Sequence, residues 1–487
     1  MTNSWAAVCQ QYTHVTCLRA KARTECVGED RCIRTAECQE THGGGPKRTA
    51  QTQREISEDL LRLLVGQAEE MSSQIRLRLL PGVRCLFDEP IQVKVAGLKP
   101  RQVVSVRARA TDEKGLEFRS SATYRADGSG FIHLDRDPSL GGSYVGVEPM
   151  GLLWSLRAEK LHQYFFKNKA LEPLVVKFSV HEGDEQGRML AEETHERFLI
   201  GDGVSRFSVK EGNFEGVLFT PPGQGPFPAV LDLCTFMSEK RASLLANKGF
   251  VVLAVAVHTE KPSNNKPMHL DHFKEAVDFL QRQPKVGSKG VGIISRSKGG
   301  DVALSLAAFV SGVAAVVWIN GCSAVVGSPL YFKNQEILSP LPVDWSKEIS
   351  HESGASIVRY VLGDPRAEEN RGTVVPVEQA QASFLFVASG NDLHWDSEGY
   401  MDEMVERLKH HGKKNFETVC YPKAGHLLEP PYGPFCPSAT HGRISTPVLW
   451  GGEPSVHAAA EVHLWKKIQE FLTDHLRCGS KQSKAQL

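Results

Sequence analysis

The chain is 487 residues long, more than a single folded core usually holds, so its length favours two or three domains. Its 57 basic residues equal its 57 acidic residues, and no charge excess points to nucleic acid or an anionic membrane surface. No segment reaches the roughly 18 consecutive apolar residues of a membrane span, and the N-terminus lacks the apolar core of a secretory signal. The sequence therefore predicts an intracellular globular protein without a membrane span or a nucleic-acid partner.

The first 72 residues are mostly polar and hold five of the eleven cysteines. Zinc sites use cysteine pairs two to four residues apart, and these cysteines are spaced more widely, so we expect no metal and reduced thiols. We predict a disordered N-terminal extension over residues 1–72. One stretch in it has the spacing of a short amphipathic helix, with Ile56, Leu60, Leu61 and Leu64. Its arginines resemble a transit peptide, but the acids at positions 25, 29 and 30 disfavour that interpretation.

The next segment has the period of two that is typical of half-buried strands. Clusters of turn residues, such as 127–130, separate its short alternating runs. Three of these runs are Ile75-Leu77-Leu79, Ile91-Val93-Val95 and Val104-Val106-Ala108. Short strands at regular intervals predict an all-β, immunoglobulin-like sandwich domain over residues 73–205.

From about residue 206, apolar strands alternate with helical patterns. Residues 251–257 and 314–320 are almost continuously apolar, as expected of parallel strands covered on both faces. Further strands are predicted at 229–233, 384–388 and 416–421, and a helix at 398–410. Two more helices are predicted from residues on one face: Leu270, Phe273, Val277 and Leu280; and Val462, Trp465, Ile468 and Leu472. The pattern predicts an α/β domain with a doubly wound, mostly parallel sheet over residues 206–478, followed by a flexible tail at 479–487.

The segment 291–300 runs from an apolar strand through small residues into a helix, which is the setting of a nucleophile elbow in an α/β-hydrolase. Ser297 is the predicted nucleophile, flanked by the small residues Ser295 and Gly299. A serine hydroxyl needs a histidine base that a carboxylate orients, and in this fold the chain order is serine, acid, histidine. Asp392 and His426 each follow a predicted strand and satisfy that order. Four residues compete with these two: Asp396, His394, His410 and His411.

Several ordered motifs resemble the family of acyl-CoA thioesterases that also contains bile acid-CoA:amino acid N-acyltransferase. They span about Ile75 to Leu476 and comprise residues 141–143, 148–154, 195–197, 297–300, 425–426, 429–432 and 450–454. The resemblance implies a β-sandwich followed by an α/β-hydrolase domain. It also implies that Ser297, Asp392 and His426 form the catalytic triad that hydrolyses fatty acyl-CoA. The acyltransferase branch has cysteine at the nucleophile position, so Ser297 favours water as the acceptor.

Two positions depart from the family pattern. The thioesterases have glycine where this chain has Ser295, and a glycine-rich loop where residues 234–238 read Cys-Thr-Phe-Met-Ser. Backbone amides of Lys298, Cys234 and Thr235 are the candidate oxyanion donors, and without glycine fewer backbone conformations could aim them. Arg296 beside the nucleophile is also unusual.

The sequence thus predicts an acyl-CoA thioesterase with acyl-CoA as substrate and no separate cofactor. Amino-acid N-acylation and a catalytically weakened acyl-CoA-binding or lipid-binding protein remain alternatives. Lys240 and Arg241, and less directly Lys298, are candidates for contacts with coenzyme A phosphates. The C-terminal Ala485-Gln486-Leu487 resembles a relaxed peroxisomal address, which favours the peroxisome over the cytosol and an import receptor as partner.

Overall fold

The computed structural model describes residues 21–26, 32–37, 74–183, 187–258, 267–441, 444 and 446–478. The chain divides into two compact units, Met1–Ser72 and Ser73–Leu487. In the first unit, strands β1 (Lys21–Cys26) and β2 (Cys32–Glu37) pair antiparallel. The sequence analysis missed this pair because both segments are rich in charged residues. The predicted helix at 56–64 and the C-terminal tail at 479–487 lie outside the described residues.

Two sheets form the N-terminal part of the second unit. One has the order β10-β7-β6-β11-β12-β4, with β9 paired to β7, and the other has the order β3-β5-β8. The elements are β3 (Arg76–Leu80), β4 (Arg84–Leu86), β5 (Gln92–Ala96), β6 (Val103–Thr111), β7 (Glu117–Arg125), β8 (Ile132–His133), β9 (Gly141–Gly142), α1 (Gly151–Trp154), β10 (Arg157–Ala158), β11 (Leu174–Glu182) and β12 (Met189–Phe198). Val93 and Val95 of one sheet share an apolar cluster with Val104 and Val106 of the other, so the sheets pack face to face. The predicted alternation is confirmed, since all four side chains are buried.

An eight-stranded sheet forms the rest of the unit, in the order β13-β14-β16-β15-β18-β19-β24-β25. Only β14 runs against its two neighbours, and all other pairs are parallel. Its strands are β13 (Ser205–Glu211), β14 (Phe214–Thr220), β15 (Phe227–Cys234), β16 (Val251–Ala256), β18 (Val286–Arg296), β19 (Val313–Ile319), β24 (Ser383–Ser389) and β25 (Phe416–Tyr421). The inversion between β15 and β16 in this order, with one antiparallel strand near the edge, is the α/β-hydrolase arrangement. The predicted fold class is therefore confirmed.

Five helices cover the two faces of this sheet. They are α2 (Lys240–Asn247), α3 (Leu270–Gln281), α4 (Gly299–Phe309), α5 (Ser397–His410) and α6 (Pro454–His475). Alternate residues of the central strands point to opposite faces: Val317 belongs to a cluster with α2 and α6, whereas Val316 belongs to a cluster with α3, α4 and α5. Val316 and Val317 are both fully buried. Because both faces of these strands are covered, their sequences are continuous apolar runs.

One prediction about a helix face was wrong. Val462 was placed with Trp465 on the buried face of the last helix, but its side chain is 42% exposed. Leu464 and Phe471 are buried instead. The buried face of this helix is therefore rotated by about one residue from the predicted face.

Two small sheets and three short helices complete the part of the hydrolase region that the structure describes. One small sheet contains β17 (Met268–His269), β20 (Leu330–Phe332) and β21 (Gln335–Leu338). The other contains β22 (Ile349–Ser350), β23 (Ser356–Ile357), β26 (Ser438–Thr440) and β27 (Pro447–Leu449). The 3-10 helices are η1 (Trp345–Lys347), η2 (Glu368–Thr373) and η3 (Val377–Gln379). Within the described ranges, every helix is too short or too polar to cross a bilayer.

The sandwich and the hydrolase part share one apolar core. The cluster that fills the sandwich continues through Val230 and Leu245 to Leu464 on α6. At its edge the carboxylate of Asp88 accepts a hydrogen bond from the Trp465 indole at 2.8 Å and pairs with Lys248 at 2.9 Å. The two parts therefore pack against each other through one continuous core.

Candidate active site

Ser297 lies at a sharp turn between β18 and α4. Its φ of 56° is in the left-handed region, a strained conformation for a residue with a side chain, and its amide donates to the Ile319 carbonyl at 3.0 Å. A Cβ atom on Gly299 would lie 2.8 Å from the Leu233 carbonyl oxygen, so the helix can approach β15 only with glycine there. This is the geometry that the elbow motif predicts for a nucleophile.

The two unusual residues before Ser297 both have partners. Ser295 is fully buried, and its hydroxyl donates to the Val317 carbonyl on the neighbouring strand at 3.2 Å. Arg296 points the other way and donates to Glu429 at 2.6 Å. The elbow therefore accommodates a serine in place of glycine without leaving a buried hydroxyl unpaired.

Asp392 and His426 come to Ser297 from the ends of the next strands. His426 Nδ1 lies 2.7 Å from Asp392 Oδ2, and its Nε2 lies 2.9 Å from Ser297 Oγ. Because a carboxylate only accepts hydrogen bonds, Nδ1 donates to Asp392 and Nε2 is left to accept the Ser297 hydroxyl proton. Asp392 and His426 are both at most 1% exposed. The structure thus brings the three predicted residues together in the order that proton transfer requires.

The competing residues occupy other positions. Asp396 pairs with Arg359 and is 43% exposed at its side chain. His394 is buried with its ring centroid 4.7 Å from that of His426, and its backbone amide, rather than its ring, donates to Asp392. Burial, followed by the charges of His426 and His441, holds the pKa of His394 well below its usual range. His410 and His411 are exposed at the end of α5.

The loop of residues 450–452 fixes the position of the histidine. The His426 amide donates to the Trp450 carbonyl at 2.8 Å, and the Trp450 ring stacks on the imidazole with 5.5 Å between centroids. Gly451 and Gly452 have φ values of 76° and 95°, and a Cβ on Gly425 would lie 2.3 Å from the Gly451 carbonyl oxygen. The loop of Gly425 and the loop of Gly451 and Gly452 therefore pack backbone against backbone, at a distance that side chains would prevent.

The candidate oxyanion donors are the backbone amides of two residues that line the space beside Ser297. Lys298 is the residue after the nucleophile, and Thr235 lines both cavities that Ser297 lines. Neither amide donates to an acceptor among the described residues. None of residues 234–238 has a positive φ, so the conformation of this loop does not require glycine. Cys234 is the buried end of β15, which makes Thr235 the better placed of the two loop residues.

Two cavities meet at Ser297, His441 and Thr235. The larger, of about 590 Å³, extends to the sandwich and has cationic side chains in its wall; we call it the polar cavity. The smaller, of about 260 Å³, lies between α4, η1 and the Asp392 loop; we call it the apolar cavity. Among the described residues, no group of three or more side chains is arranged to hold a metal ion.

The predicted phosphate contacts are all engaged within the protein. Lys240 pairs with Glu429 at 3.1 Å, Arg241 donates to Asp232 at 2.8 Å, and Lys298 pairs with Asp301 at 2.5 Å. Of these, Arg241 lines the polar cavity, so its contact with coenzyme A stays a prediction, as does that of Lys240.

Lys114 is a cation that the sequence analysis missed. It belongs to the sandwich, is exposed, lines the polar cavity above the Phe166 ring, and forms no ion pair among the described residues. No local motif marks it, because only the packing of the two parts brings it to the site.

Glu429 is the centre of a charge cluster beside the nucleophile. It accepts from Arg296 and pairs with Lys240, while Arg241 lies nearby. Burial alone would raise the pKa of Glu429, but the charges of Lys240, Arg296 and Arg241 lower it to about 2. The carboxylate therefore remains charged and holds the strand end before Ser297 against α2.

The fold and the arrangement of Ser297, His426 and Asp392 are those of the α/β-hydrolase class. Residues 88–211 match the family model for the acyl-CoA thioester hydrolase/BAAT N-terminal region, and residues 268–478 match that for the BAAT/acyl-CoA thioester hydrolase C-terminal region. The chain belongs to this family.

Similar proteins include acyl-coenzyme A thioesterase 2, mitochondrial, of Homo sapiens, 41% identical over 85% of this chain and 87% of its own length. Acyl-coenzyme A thioesterase 1 of Homo sapiens is 42% identical over 81% of this chain and 96% of its own. Acyl-coenzyme A thioesterase 5 of Mus musculus is 41% identical over 82% of this chain and 97% of its own length. Among solved structures, the acylaminoacyl peptidase of Pyrococcus horikoshii aligns over 80% of this chain and 60% of its own at 14% identity, with a TM-score of 0.37.

Proposed function

We propose that this protein hydrolyses acyl-CoA thioesters to free carboxylic acid and coenzyme A. The observation that carries the proposal is the unbroken hydrogen-bond chain from Asp392 through His426 to Ser297, at the junction of a cation-bearing cavity and an apolar cavity. The names of the relatives, which are acyl-CoA thioesterases, supply the substrate class.

The reaction begins when His426 Nε2 takes the Ser297 proton and Oγ attacks the thioester carbonyl. The carbonyl electrons move to the oxygen, which the amides of Lys298 and Thr235 stabilise. The carbonyl re-forms and the bond to sulfur breaks, so that coenzyme A leaves with the proton of His426 and the acyl group stays on Ser297. Water then attacks the acyl-serine and gives a proton to His426, which returns it to Ser297 as the acid leaves.

Asp392 supports both half-reactions by acting on His426. Its negative charge holds the imidazole in the tautomer with the proton on Nδ1 and stabilises the imidazolium that forms in each half-reaction. Thioesters suit the site because a thiolate leaves readily and needs little help from an acid.

The test is steady-state hydrolysis of acyl-CoA with release of the thiol as readout. We expect Ser297→Ala to reduce kcat by several orders of magnitude, because the nucleophile is lost. Ser305→Ala is the matched control, since it also removes one buried serine hydroxyl but from the interior of α4. Equal turnover in the wild type and Ser297→Ala would refute the proposal.

Product analysis distinguishes water from an amine as the acceptor. With glycine or taurine present, mass spectrometry should detect free acid and no acyl amide. An acyl amide as the main product would assign the protein to the N-acyltransferase branch instead.

We also propose that the C-terminal Ala485-Gln486-Leu487 directs the protein to peroxisomes through an import receptor. A fluorescent fusion that leaves this C-terminus free should co-localise with a peroxisomal marker, and deletion of the three residues should abolish the co-localisation. Mitochondrial fluorescence in both forms would contradict the proposal.

A further inference from the structure

The apolar cavity begins at Ser297 and has a wall of aliphatic and aromatic side chains. Its lining includes Val326, Val358, Val361, Leu362 and Trp395. Val358 and Val361 are themselves buried, at 1% and 4% exposure, so their side chains belong to the packed structure. A hydrocarbon entering this space would exchange water for an apolar environment along its length.

Main-chain hydrogen bonds hold the wall in place. Val343 and Leu362 form an antiparallel bridge, and the Asp344 amide donates to the Val361 carbonyl at 2.7 Å. The Val358 amide donates to the Leu393 carbonyl at 3.2 Å, which connects the wall to the loop that carries Asp392. The cavity is therefore preformed, and its size limits what it can bind without rearrangement.

Charge separates the two cavities. The polar cavity has Lys114, Arg241 and Arg296 in its wall. Arg241 and Arg296 are paired with Asp232 and Glu429, whereas Lys114 forms no ion pair among the described residues and suits a phosphate of coenzyme A. Among the described residues that line the apolar cavity, the only lysine or arginine is Lys298, whose ammonium group is buried and paired with Asp301 at 2.5 Å. A thioester with its carbonyl at Ser297 would therefore place the nucleotide in the polar cavity and the acyl chain in the apolar one.

We propose, on the basis of the function proposed above, that the apolar cavity is the acyl site and that its size sets a medium chain length beyond which further methylenes add little to binding. An apolar cavity of about 150 Å³ binds one benzene molecule, which has six carbons, so a cavity of about 260 Å³ has room for roughly ten carbons. Substrates of about eight to ten carbons fill it.

The cavity borders solvent beside two of its lining residues. Val343 and Trp345 line it and are 41% and 50% exposed. A longer chain passes these two side chains and enters water, so its additional methylenes gain little from binding. Longer substrates are accepted but not preferred.

The first experiment is a series of saturated acyl-CoA substrates from C2 to C16, assayed below their micellar concentrations. Each methylene that becomes buried is worth up to about fourfold in kcat/KM, so the expected profile rises by about two- to fourfold per carbon up to about C8 to C10 and is flat beyond. A rise that continues unchanged to C16 would overturn the assignment of the cavity.

The second experiment narrows the cavity with Val343→Trp. We expect a loss of at least tenfold in kcat/KM for decanoyl-CoA, whose chain fills the cavity that Val343 lines, and less than twofold for acetyl-CoA or butyryl-CoA, whose chains fill little of it. Val462→Trp is the matched control: it lies on α6, outside the cavity, and is 42% exposed against 41% for Val343. Equal losses at all lengths, or no loss for decanoyl-CoA, would overturn the proposal.

These outcomes are separate from a failure of the proposed function. If no acyl-CoA of any length is hydrolysed faster than by Ser297→Ala, the thioesterase activity itself is refuted, and the acyl site that rests on it is refuted with it. If turnover occurs but the Val343→Trp profile matches that of Val462→Trp, only the acyl site is refuted.

Discussion

At the scale of single residues, Asp392 is the most tightly held group of the site. Its Oδ1 accepts the amides of His394 and Trp395 at 2.8 and 2.9 Å, and its Oδ2 accepts His426 and the Ser397 hydroxyl. Four donors satisfy both carboxylate oxygens and fix the direction of the carboxylate. The residue therefore orients the imidazole rather than moving with it.

We expect Asp392→Asn to reduce kcat by about 10⁴, because an amide at this position favours the wrong histidine tautomer. The measurement is acyl-CoA hydrolysis at saturating substrate, with circular dichroism to show that the fold is intact. Asp396→Asn is the control, since Asp396 is also an aspartate of this loop but pairs with Arg359. A similar loss in both variants would argue against a specific role for Asp392.

A second prediction at this scale concerns Lys114. If its ammonium group contacts a phosphate of coenzyme A, Lys114→Gln should raise KM for acyl-CoA by about tenfold and leave kcat nearly unchanged, since one charge-assisted contact is worth about 1.5 kcal/mol. With an acyl-pantetheine thioester, which lacks the nucleotide, the variant and wild type should behave alike. Lys99→Gln, an exposed lysine of the same sandwich, is the control. A tenfold effect on both substrates would contradict the assignment.

At the scale of secondary-structure elements, Glu429 connects three parts of the site. Lys240 begins α2, Arg296 ends β18, and Glu429 lies in the segment after His426, so one carboxylate joins the helix, the nucleophile strand and the histidine loop. Lys240 and Glu429 are only 8% and 20% exposed at their side chains. Removing one member of such a buried cluster leaves the others uncompensated.

We expect Glu429→Gln to reduce the free energy of unfolding by about 3–5 kcal/mol at pH 7, because Lys240 and Arg296 lose their counter-charge. The folded pKa of about 2 is below the ordinary 4.5, so the stabilisation is fully present above pH 4.5 and is lost as the pH falls from 4.5 towards 2. Urea denaturation at several pH values measures this. The difference between wild type and variant should therefore shrink below pH 4.5, and a difference that stays constant down to pH 3 would contradict the charge argument.

At the scale of the whole molecule, the shared core couples the sandwich to the hydrolase part. One apolar cluster extends from Val95 in the sandwich to Leu472 on the last helix. Neither part can unfold without exposing the apolar face of the other. We expect the sandwich and the hydrolase part to unfold as one cooperative unit.

Hydrogen exchange in urea tests this cooperativity. Amides of β6 in the sandwich and β19 in the large sheet should lose protection at the same denaturant concentration. Asp88→Ala, which leaves Lys248 and the Trp465 indole without their carboxylate, should shift both to lower urea together. Asp474→Ala removes an exposed ion pair with Arg477. It should change the free energy of unfolding measured at either strand by no more than about 0.5 kcal/mol. Separate transitions for β6 and β19 would refute the prediction.

Whether an element could be predicted from the sequence depended on how that element is buried. Strands β16, β19 and β24 are covered on both faces, so their apolar runs were recognisable, and β25 began and ended where predicted. Val462 was misplaced because a long helix with apolar residues on several sides does not reveal which face meets the core. The strands at 21–26 and 32–37 carry no such pattern at all.

The sequence by itself determined the class of fold, the elbow around Ser297 and the order of Asp392 and His426, because these depend on local patterns: residue size at a turn, the period of apolar residues, and chain order. Only the tertiary structure decided what surrounds them. The partners of Arg296 and Ser295, the engagement of Lys240 by Glu429, the presence of Lys114 and the separation of a polar from an apolar cavity all depend on residues far apart in the chain. Such contacts arise when elements pack, and no short stretch of sequence contains them.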